Sequence, residues 1–190
     1  ESVGSLMKYL SELPNQFVLK ATHGSGWNII VKDKSKLSEG ELQKMDRWLS
    51  ENYYWAGREW CYQHIKPRII CEKFIEPLNP SLGLLDYKFF CFHGEPKFVV
   101  VDIDRFTDHH RNIYDFSWHQ LPLEITSMYR RSSKMIPMPL NYDLMIDLAQ
   151  NLSEEFPFVR VDLYSEEKVV FGEMTFYPGN VSNTIIPQEY

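Results

Sequence analysis

The stretch 159–175 constrains this chain more than any other, because two apolar, β-branched runs there flank a polar turn at 165–168. Successive side chains of a strand point to opposite faces of a sheet. The pattern therefore predicts a buried antiparallel hairpin. Parity then gives each strand two polar side chains on one face, and if the two faces coincide they converge: Arg160 and Asp162 from the first strand, Glu173 and Thr175 from the second.

Asp162 and Glu173 are acids in strands that look buried. A buried acid needs a partner or a metal ion. Mg²⁺ takes oxygen ligands, usually one or two carboxylates together with substrate phosphates. The pair therefore predicts a magnesium site, and the alternative is an ordinary solvated acidic hairpin.

Upstream, the patterns predict helices and strands that alternate along the chain. We predict helices at 2–12, from Ser38 to about 49–52 and at 141–155, a hairpin at 16–31, a strongly buried strand at 68–75 and an antiparallel pair at 85–104. This order is α+β. We place a boundary between residues 75 and 76, where the buried strand runs into an irregular connector.

The loop 22–28 lies at the tip of the first predicted hairpin and contains Gly24 and Gly26. Glycines allow a backbone to fold over a polyphosphate and to present N–H groups to it. Lys20, just before the loop, would add a point charge. The alternative is an ordinary turn. The loop is not a Walker motif, because no Gly-Lys-Ser/Thr follows it.

Composition narrows the function classes. The formal net charge is −6 with no basic run, which argues against nucleic acid as a partner. No apolar stretch approaches the roughly 20 residues that span a bilayer. The cysteines lack metal-ligand spacing and predict reduced core residues of a cytoplasmic protein: Cys61, Cys71 and Cys91.

Two polar or aromatic segments admit several interpretations. The segment 107–112 is predicted to be a loop. An anion site with Arg105 and Arg111 is favoured over zinc at His109 and His110, and exposed, solvated charges are the commonest outcome for such a segment. Neighbouring residues of a strand point to opposite faces, which disfavours zinc. The aromatic segment 53–62 predicts mainly core or lobe packing, with an acceptor pocket as the alternative.

Several of these segments together resemble the ATP-grasp superfamily, with an order and spacing similar to those of D-alanine–D-alanine ligase. They are residues 17–20 with the glycine loop, 71–75, 160–162 and 173–179. Residues 102–118 resemble the narrower TupA-like ATP-grasp family, which is named for teichuronopeptide biosynthesis. The resemblance implies two α+β lobes that grip ATP and Mg²⁺, here a small lobe with a flap at 1–75 and a large lobe with the metal site at 76–190. The family's N-terminal lobe has no counterpart before Glu1, so we expect a piece of a longer enzyme.

The resemblance also implies roles for individual residues. It implies nucleotide contacts from the first hairpin and its loop, at Lys20, His23, Gly24, Ser25 and Gly26. It implies further contacts from the strand that follows, at Glu72, Lys73, Phe74 and Ile75, and a contact with the ribose from Asp86. It implies Mg²⁺ ligands at Asp162 and Glu173, with Thr175 where the family has asparagine and Asn180 as a substitute. Charge on the transferred phosphoryl group would be stabilised by Arg160, with Lys88 and Arg105 as further catalytic candidates.

The function that the resemblance implies is an ATP- and Mg²⁺-dependent ligase, which forms an amide through an acyl phosphate. Its partners would be ATP and a carboxylate and amine, as small molecules or on a cell-surface glycan. The alternatives are a phosphotransferase or glycosyltransferase that acts on a glycan precursor, and an inactive nucleotide-binding module. The oligomeric state stays open.

Overall fold

The computed structural model describes residues 3–105, 108–125, 129–181 and 184–186, and only the backbone of Ser5, Asn180 and Val181. The chain divides into two compact units, Glu1–Ile75 and Glu76–Tyr190. Each unit has its own antiparallel sheet with helices, so the chain is α+β, as predicted.

Within its described residues, the first unit contains three α-helices and a three-stranded sheet of order β2-β1-β3. Its elements are α1 Val3–Tyr9, β1 Phe17–Ala21, β2 Asn28–Val31, α2 Glu39–Ser50, α3 Tyr54–Gly57 and β3 Ile69–Lys73. Alternate residues of β1 are buried and pack with Met45 and Trp48 of α2. The capping box is confirmed, because Ser38 N donates to Glu41 Oε2 at 2.8 Å and Glu41 N donates to Ser38 Oγ at 3.3 Å.

The prediction of a strongly buried strand at 68–75 is wrong. The strand β3 is an edge strand of its sheet, since it pairs with β1 on one side only, and Ile70 is 41% exposed. Cys71 and Cys61 are also exposed, and of the three free cysteines Cys91 alone is buried. An edge strand has a partner on one side, so an apolar sequence there does not ensure burial.

The aromatic segment 53–62 packs only in part. Tyr53 lies 5.2 Å from Trp27 and 4.9 Å from Tyr62, measured between ring centroids. Trp55 and Trp60 are 63% and 62% exposed. The two tryptophans are therefore not core residues, and the prediction of lobe packing for them stays a prediction.

The second unit is built on a five-stranded sheet of order β6-β5-β4-β8-β9, beside a two-stranded sheet of β7 and β10. Its elements are β4 Asp86–Phe92, β5 Glu95–Ile103, β6 His110–Tyr114, β7 Glu124–Ile125, α4 Tyr142–Ser153, β8 Phe158–Ser165, β9 Val169–Thr175 and β10 Ile185–Ile186. The predicted loop at 107–112 is wrong from residue 110 onward, because β6 pairs with β5 there. Thr107 lies outside the described residues.

The two faces of this five-stranded sheet differ in chemistry. One face is apolar and packs Phe89, Val99 and Val161 against Met145 and Ala149 of α4. Alternation sends the intervening residues to the opposite face, which we call the site face. It carries polar side chains from four strands: Asp86, Lys88, Asp102, Arg111, Arg160 and Asp162.

A bulge lies beside the predicted acids. The β8–β9 register shifts between Asp162 and Leu163, and Gly172 is left without a cross-strand partner. A Cβ built on Gly172 would lie 2.9 Å from the carbonyl oxygen of Asp162. The close backbone approach therefore requires glycine, and a glycine within a strand is the sequence signal of such a bulge.

Gly172→Ala is expected to lower the free energy of unfolding by about 1–3 kcal/mol, because backbone must move to admit the methyl group. Urea unfolding measures the change. The matched control is Gly40→Ala in α2, where the nearest atom to a built Cβ is Ser38 Oγ at 4.0 Å. That control should be neutral or stabilising. Equal effects at the two glycines would contradict this account of the bulge.

Candidate functional site

Three buried aspartates surround Lys88 on the site face. Lys88 Nζ donates to Asp86 Oδ2 at 2.5 Å and to Asp162 Oδ2 at 2.7 Å, and lies 3.8 Å from Asp102 Oδ2. The lysine side chain is only 6% exposed. The ladders explain the cluster, since Asp86 faces Asp102 and Lys88 faces Asp162 across neighbouring strands.

Arg160 joins the two predicted metal ligands. Its Nε donates to Asp162 Oδ1 at 2.6 Å, and its Nη2 donates to Asp162 Oδ2 at 2.7 Å. The same Nη2 donates to Glu173 Oε1 at 3.0 Å and to Thr175 Oγ1 at 2.9 Å. The hairpin thus brings together four of the residues that the sequence singled out. Glu173 is less buried than expected, with a side chain that is 63% exposed.

Desolvation raises the pKa of both Asp162 and Glu173, and Arg160 lowers it. Burial raises the pKa of Asp162, against the attraction of Lys88 and Arg160. Desolvation by neighbouring protein atoms opposes ionisation of the largely exposed Glu173. Arg160 and a hydrogen bond from the Thr175 hydroxyl at 2.9 Å outweigh it and leave the pKa of Glu173 lowered. Glu173 is therefore charged at neutral pH and is the acid more accessible to an incoming cation.

Asp102 and Arg111 extend the cluster and were missed as a pair. Arg111 Nε donates to Asp102 Oδ1 at 2.6 Å and its Nη2 donates to Oδ2 at 3.1 Å. Arg105 Nη1 donates in the same way to Asp86 Oδ2 at 2.7 Å. Both arginines pair with buried carboxylates, a role that the sequence interpretation of this segment did not include. The signal in the sequence was an aspartate at a core position of an apolar strand.

Asp102 makes the stability of the fold pH-dependent. Burial alone would raise its pKa, but Arg111, Lys88 and His109 outweigh burial and lower the pKa from 3.8 to about 2. Since the folded pKa lies below the unfolded value, the carboxylate stabilises the fold above about pH 4 and loses this effect as the pH falls towards 2.

We therefore expect Asp102 to account for about 2 kcal/mol of the loss in unfolding free energy between about pH 5 and pH 2. Urea unfolding at stepped pH measures it. The Asp102→Asn variant should start less stable and lose less on acidification than the parent. Parallel pH curves for the two proteins would contradict the assignment.

The donor set fits Mg²⁺ in chemistry, since the two carboxylates and the Thr175 hydroxyl offer hard oxygen ligands. Both oxygens of Asp162 already accept hydrogen bonds from cations, however. Within the described part of the chain, no cluster of three or more acidic, histidine or cysteine side chains is arranged to hold a metal. Arg160 therefore competes with a cation for these acids. The side chain of Asn180 lies outside the described residues.

Asp86 has one carboxylate oxygen to spare. Its Oδ2 accepts from Lys88 and Arg105, while Oδ1 is buried and has no hydrogen-bond partner among the described residues. An unpaired buried acceptor costs free energy unless a donor satisfies it. A ligand hydroxyl would be such a donor.

In the first unit, two predicted nucleotide contacts pair with each other. Lys20 Nζ lies 2.5 Å from Glu72 Oε2, and both side chains are more than one-third exposed. The predicted segment 73–75 follows directly: Lys73 ends β3 and is exposed, while Phe74 and Ile75 are half-buried. Any role of Lys20 at a phosphate or of Glu72 at a base requires this exposed pair to open.

The glycine loop is exposed only in part. His23 is 2% exposed, and its Nε2 lies 2.6 Å from the carbonyl oxygen of Trp48, so its side chain does not belong to a flap. A Cβ on Gly24 would lie 2.6 Å from the ring of Trp27, which requires glycine for packing. Ser25 and Gly26 are exposed at the tip, and Gly26 has φ of +70° with open space around it.

One of the comparisons with known proteins found a match. The family model described as TupA-like ATPgrasp matches residues 7–190. A search of the curated proteins gave no match. Among the described residues, none of the helices has the length and apolar character to cross a membrane.

Proposed function

Because this chain belongs to the TupA-like ATP-grasp family, we propose that it is an ATP- and Mg²⁺-dependent ligase that joins a carboxylate to an amine through an acyl phosphate. Family membership supports the coarser statement, an ATP-dependent, ligase-type enzyme. The more specific proposal, a ligase that acts through an acyl phosphate, is supported by the site-face cluster. There Arg160 links Asp162 and Glu173 beside the buried Lys88.

The proposed reaction has two steps. A substrate carboxylate oxygen attacks the γ-phosphorus of ATP, the bond to the β–γ bridging oxygen breaks, and ADP leaves behind an acyl phosphate. The amine nitrogen then attacks the acyl carbon, phosphate leaves, and the nitrogen loses a proton. Such chemistry depends on positioning and charge stabilisation, and it needs no nucleophile from the protein.

Arg160 is the residue that we assign to the transferred phosphoryl group. Two hydrogen bonds from Arg160 to Asp162 fix the plane of its guanidinium, which leaves a positioned donor on the site face. Preorganised donors of this kind stabilise charge that develops in a transition state. Lys88 and Arg105 support the same role through the shared carboxylate of Asp86.

Asp162 and Glu173 would hold Mg²⁺, with the Thr175 hydroxyl as a weaker ligand. Bound there, the ion would neutralise charge on the terminal phosphates. Because Arg160 bonds to all three side chains, we infer that its hydrogen bonds to them loosen when a nucleotide binds. The unpaired Asp86 Oδ1 supports a hydrogen bond from a ribose hydroxyl.

The remaining nucleotide contacts stay proposals. Lys20 would bind the phosphates, Glu72 the adenine amino group, the backbone of 73–75 the base edge, and residues 24–26 the polyphosphate. The acceptor would be a cell-surface glycan precursor or its amino-acid decoration. We place the reaction in the cytoplasm, where ATP is supplied.

Trapping of the acyl phosphate tests the proposal. The intact protein is incubated with ATP, Mg²⁺, hydroxylamine and a panel of carboxylic acids, and hydroxamate and ADP are measured. We expect equal amounts of both, with formation dependent on the acid. A stable phosphorylated product without hydroxylamine would favour phosphoryl transfer instead. Binding of ATP without any turnover would favour a nucleotide-binding module.

A further inference from the structure

A cavity of about 530 Å³ lies in the second unit. Five aromatic side chains form most of its wall, with Ile125 among the remaining residues: Phe90, Phe156, Phe158, Phe176 and Tyr177. None of the described residues that line it is charged. Its volume falls within the range of about 300–1,000 Å³ that is typical of small-molecule sites, and such sites are mostly apolar.

The cavity continues the site face. Phe90 lies directly opposite Arg160 in the β4–β8 ladder, and directly opposite residues have Cβ atoms about 5 Å apart. Alternation along β8 puts Phe158 on the same face as Arg160, and its ring centroid lies 6.2 Å from that of Phe90. The apolar wall of the cavity therefore begins at Phe90, the cross-strand neighbour of Arg160.

The third strand of the site leads to the same place. Thr175, whose hydroxyl accepts a hydrogen bond from Arg160, is followed at once by Phe176 and Tyr177. These two rings are 41% and 40% exposed. Phe176 packs against Phe156 with ring centroids 5.1 Å apart. The cavity and the proposed phosphoryl site thus share borders on both strands of the hairpin.

The rings are held by one another, so the cavity is preformed. Phe90 stacks on Phe98 with centroids 4.7 Å apart. On the same face of the sheet, Val100, Ile113 and Leu123 belong to a small buried cluster against which Phe90 and Phe98 pack. A preformed site loses little conformational freedom when it binds a ligand.

We propose that this cavity binds the apolar portion of the carboxylate substrate, so that the substrate is an amphipathic acid with a ring or hydrocarbon group attached near its carboxylate. The proposal rests on the proposed function, in which Arg160 contacts the phosphoryl group that the substrate carboxylate attacks. A charged or heavily hydroxylated group would lose its hydration against these walls without compensation. An apolar group gains roughly 25 cal/mol for each Å² removed from water.

Binding of two matched acids tests the proposal. Phenylacetate and acetate are titrated calorimetrically into the intact protein, with and without the non-hydrolysable ATP analogue AMPPNP and Mg²⁺. We expect phenylacetate to bind at least about tenfold more tightly than acetate, as removal of the ring from water predicts. Equal affinities, or no binding of phenylacetate, would overturn the proposal.

Variants assign the preference to the cavity. Phe176→Ala should abolish the preference. Phe171→Ala should preserve it, because Phe171 lies on β9, just before Phe176 in the chain, and is 54% exposed but does not line the cavity. Tyr177→Ala is the second cavity variant, and thermal unfolding checks that each protein folds. A preference that survives both cavity variants would also overturn the proposal.

AMPPNP binding separates the two proposals. If AMPPNP binds but phenylacetate has no advantage, the cavity assignment fails and the proposed function stands. If AMPPNP does not bind and phenylacetate still shows a preference that depends on Phe176, the cavity binds amphipathic acids and the proposed function fails.

Discussion

Replacing Lys88 with methionine is expected to lower the free energy of unfolding by about 3–5 kcal/mol, the largest stability effect that we predict. The ammonium group contacts Asp86 and Asp162 and lies near Asp102, and all three carboxylates are 2% exposed. Methionine keeps much of the volume but leaves these buried charges short of a counterion. Urea unfolding of the intact protein measures the loss.

Lys97→Met is the matched control for Lys88. Lys97 lies on β5 and pairs with Glu95 at the surface, where its side chain is 52% exposed. Exposed pairs contribute little, so the control should change stability by no more than about 0.5 kcal/mol. Similar losses for the two variants would show that the buried cluster does not hold this unit together.

The Asp162→Asn variant is expected to lose at least about tenfold of its Mg²⁺-dependent affinity for ATP, because a neutral amide is a poorer metal ligand than a carboxylate. The amide is nearly isosteric, Lys88 keeps its bond to Asp86, and Arg160 keeps its bond to Glu173. The fold should therefore survive. Titration with ATP, in the presence and absence of Mg²⁺, measures the effect.

Glu167→Gln provides a control of equal charge change on the same hairpin, since Glu167 is exposed in its turn. It should leave the affinity for nucleotide unchanged. An unchanged Mg²⁺ dependence in Asp162→Asn would remove Asp162 from the metal site. A loss that is the same with and without Mg²⁺ would assign Asp162 to positioning Arg160 instead.

Local patterns were enough to predict much of the second unit. The hairpin of β8 and β9 follows from alternation, and so does the meeting of Asp162, Glu173 and Thr175 around Arg160. Parity along β4 also puts Asp86 and Lys88 on one face, where Lys88 donates to Asp86. Side-chain direction in a strand depends on neighbours in sequence, which is why these relations could be read from the chain.

Other features depended on which strands become neighbours. The sequence of β3 looks like a core strand, yet β3 ends its sheet and Cys71 is exposed. Residues 110–112, which were predicted to lie in a polar loop, belong to β6 because they pair with β5. That pairing puts Arg111 opposite Asp102, to which it donates a hydrogen bond. Edge position and cross-strand partners are long-range properties, and no local pattern encodes them.

By itself, the sequence determined the α+β class, the C-terminal hairpin and the acids that converge on Arg160, since each follows from short-range periodicity. Only the tertiary structure decided that β4 lies between β5 and β8, two strands far apart in the chain. That arrangement gathers three aspartates around Lys88 and places an aromatic cavity beside Arg160. The physical reason is that burial of apolar surface selects the order of strands, and the order of strands selects which charges must be paired.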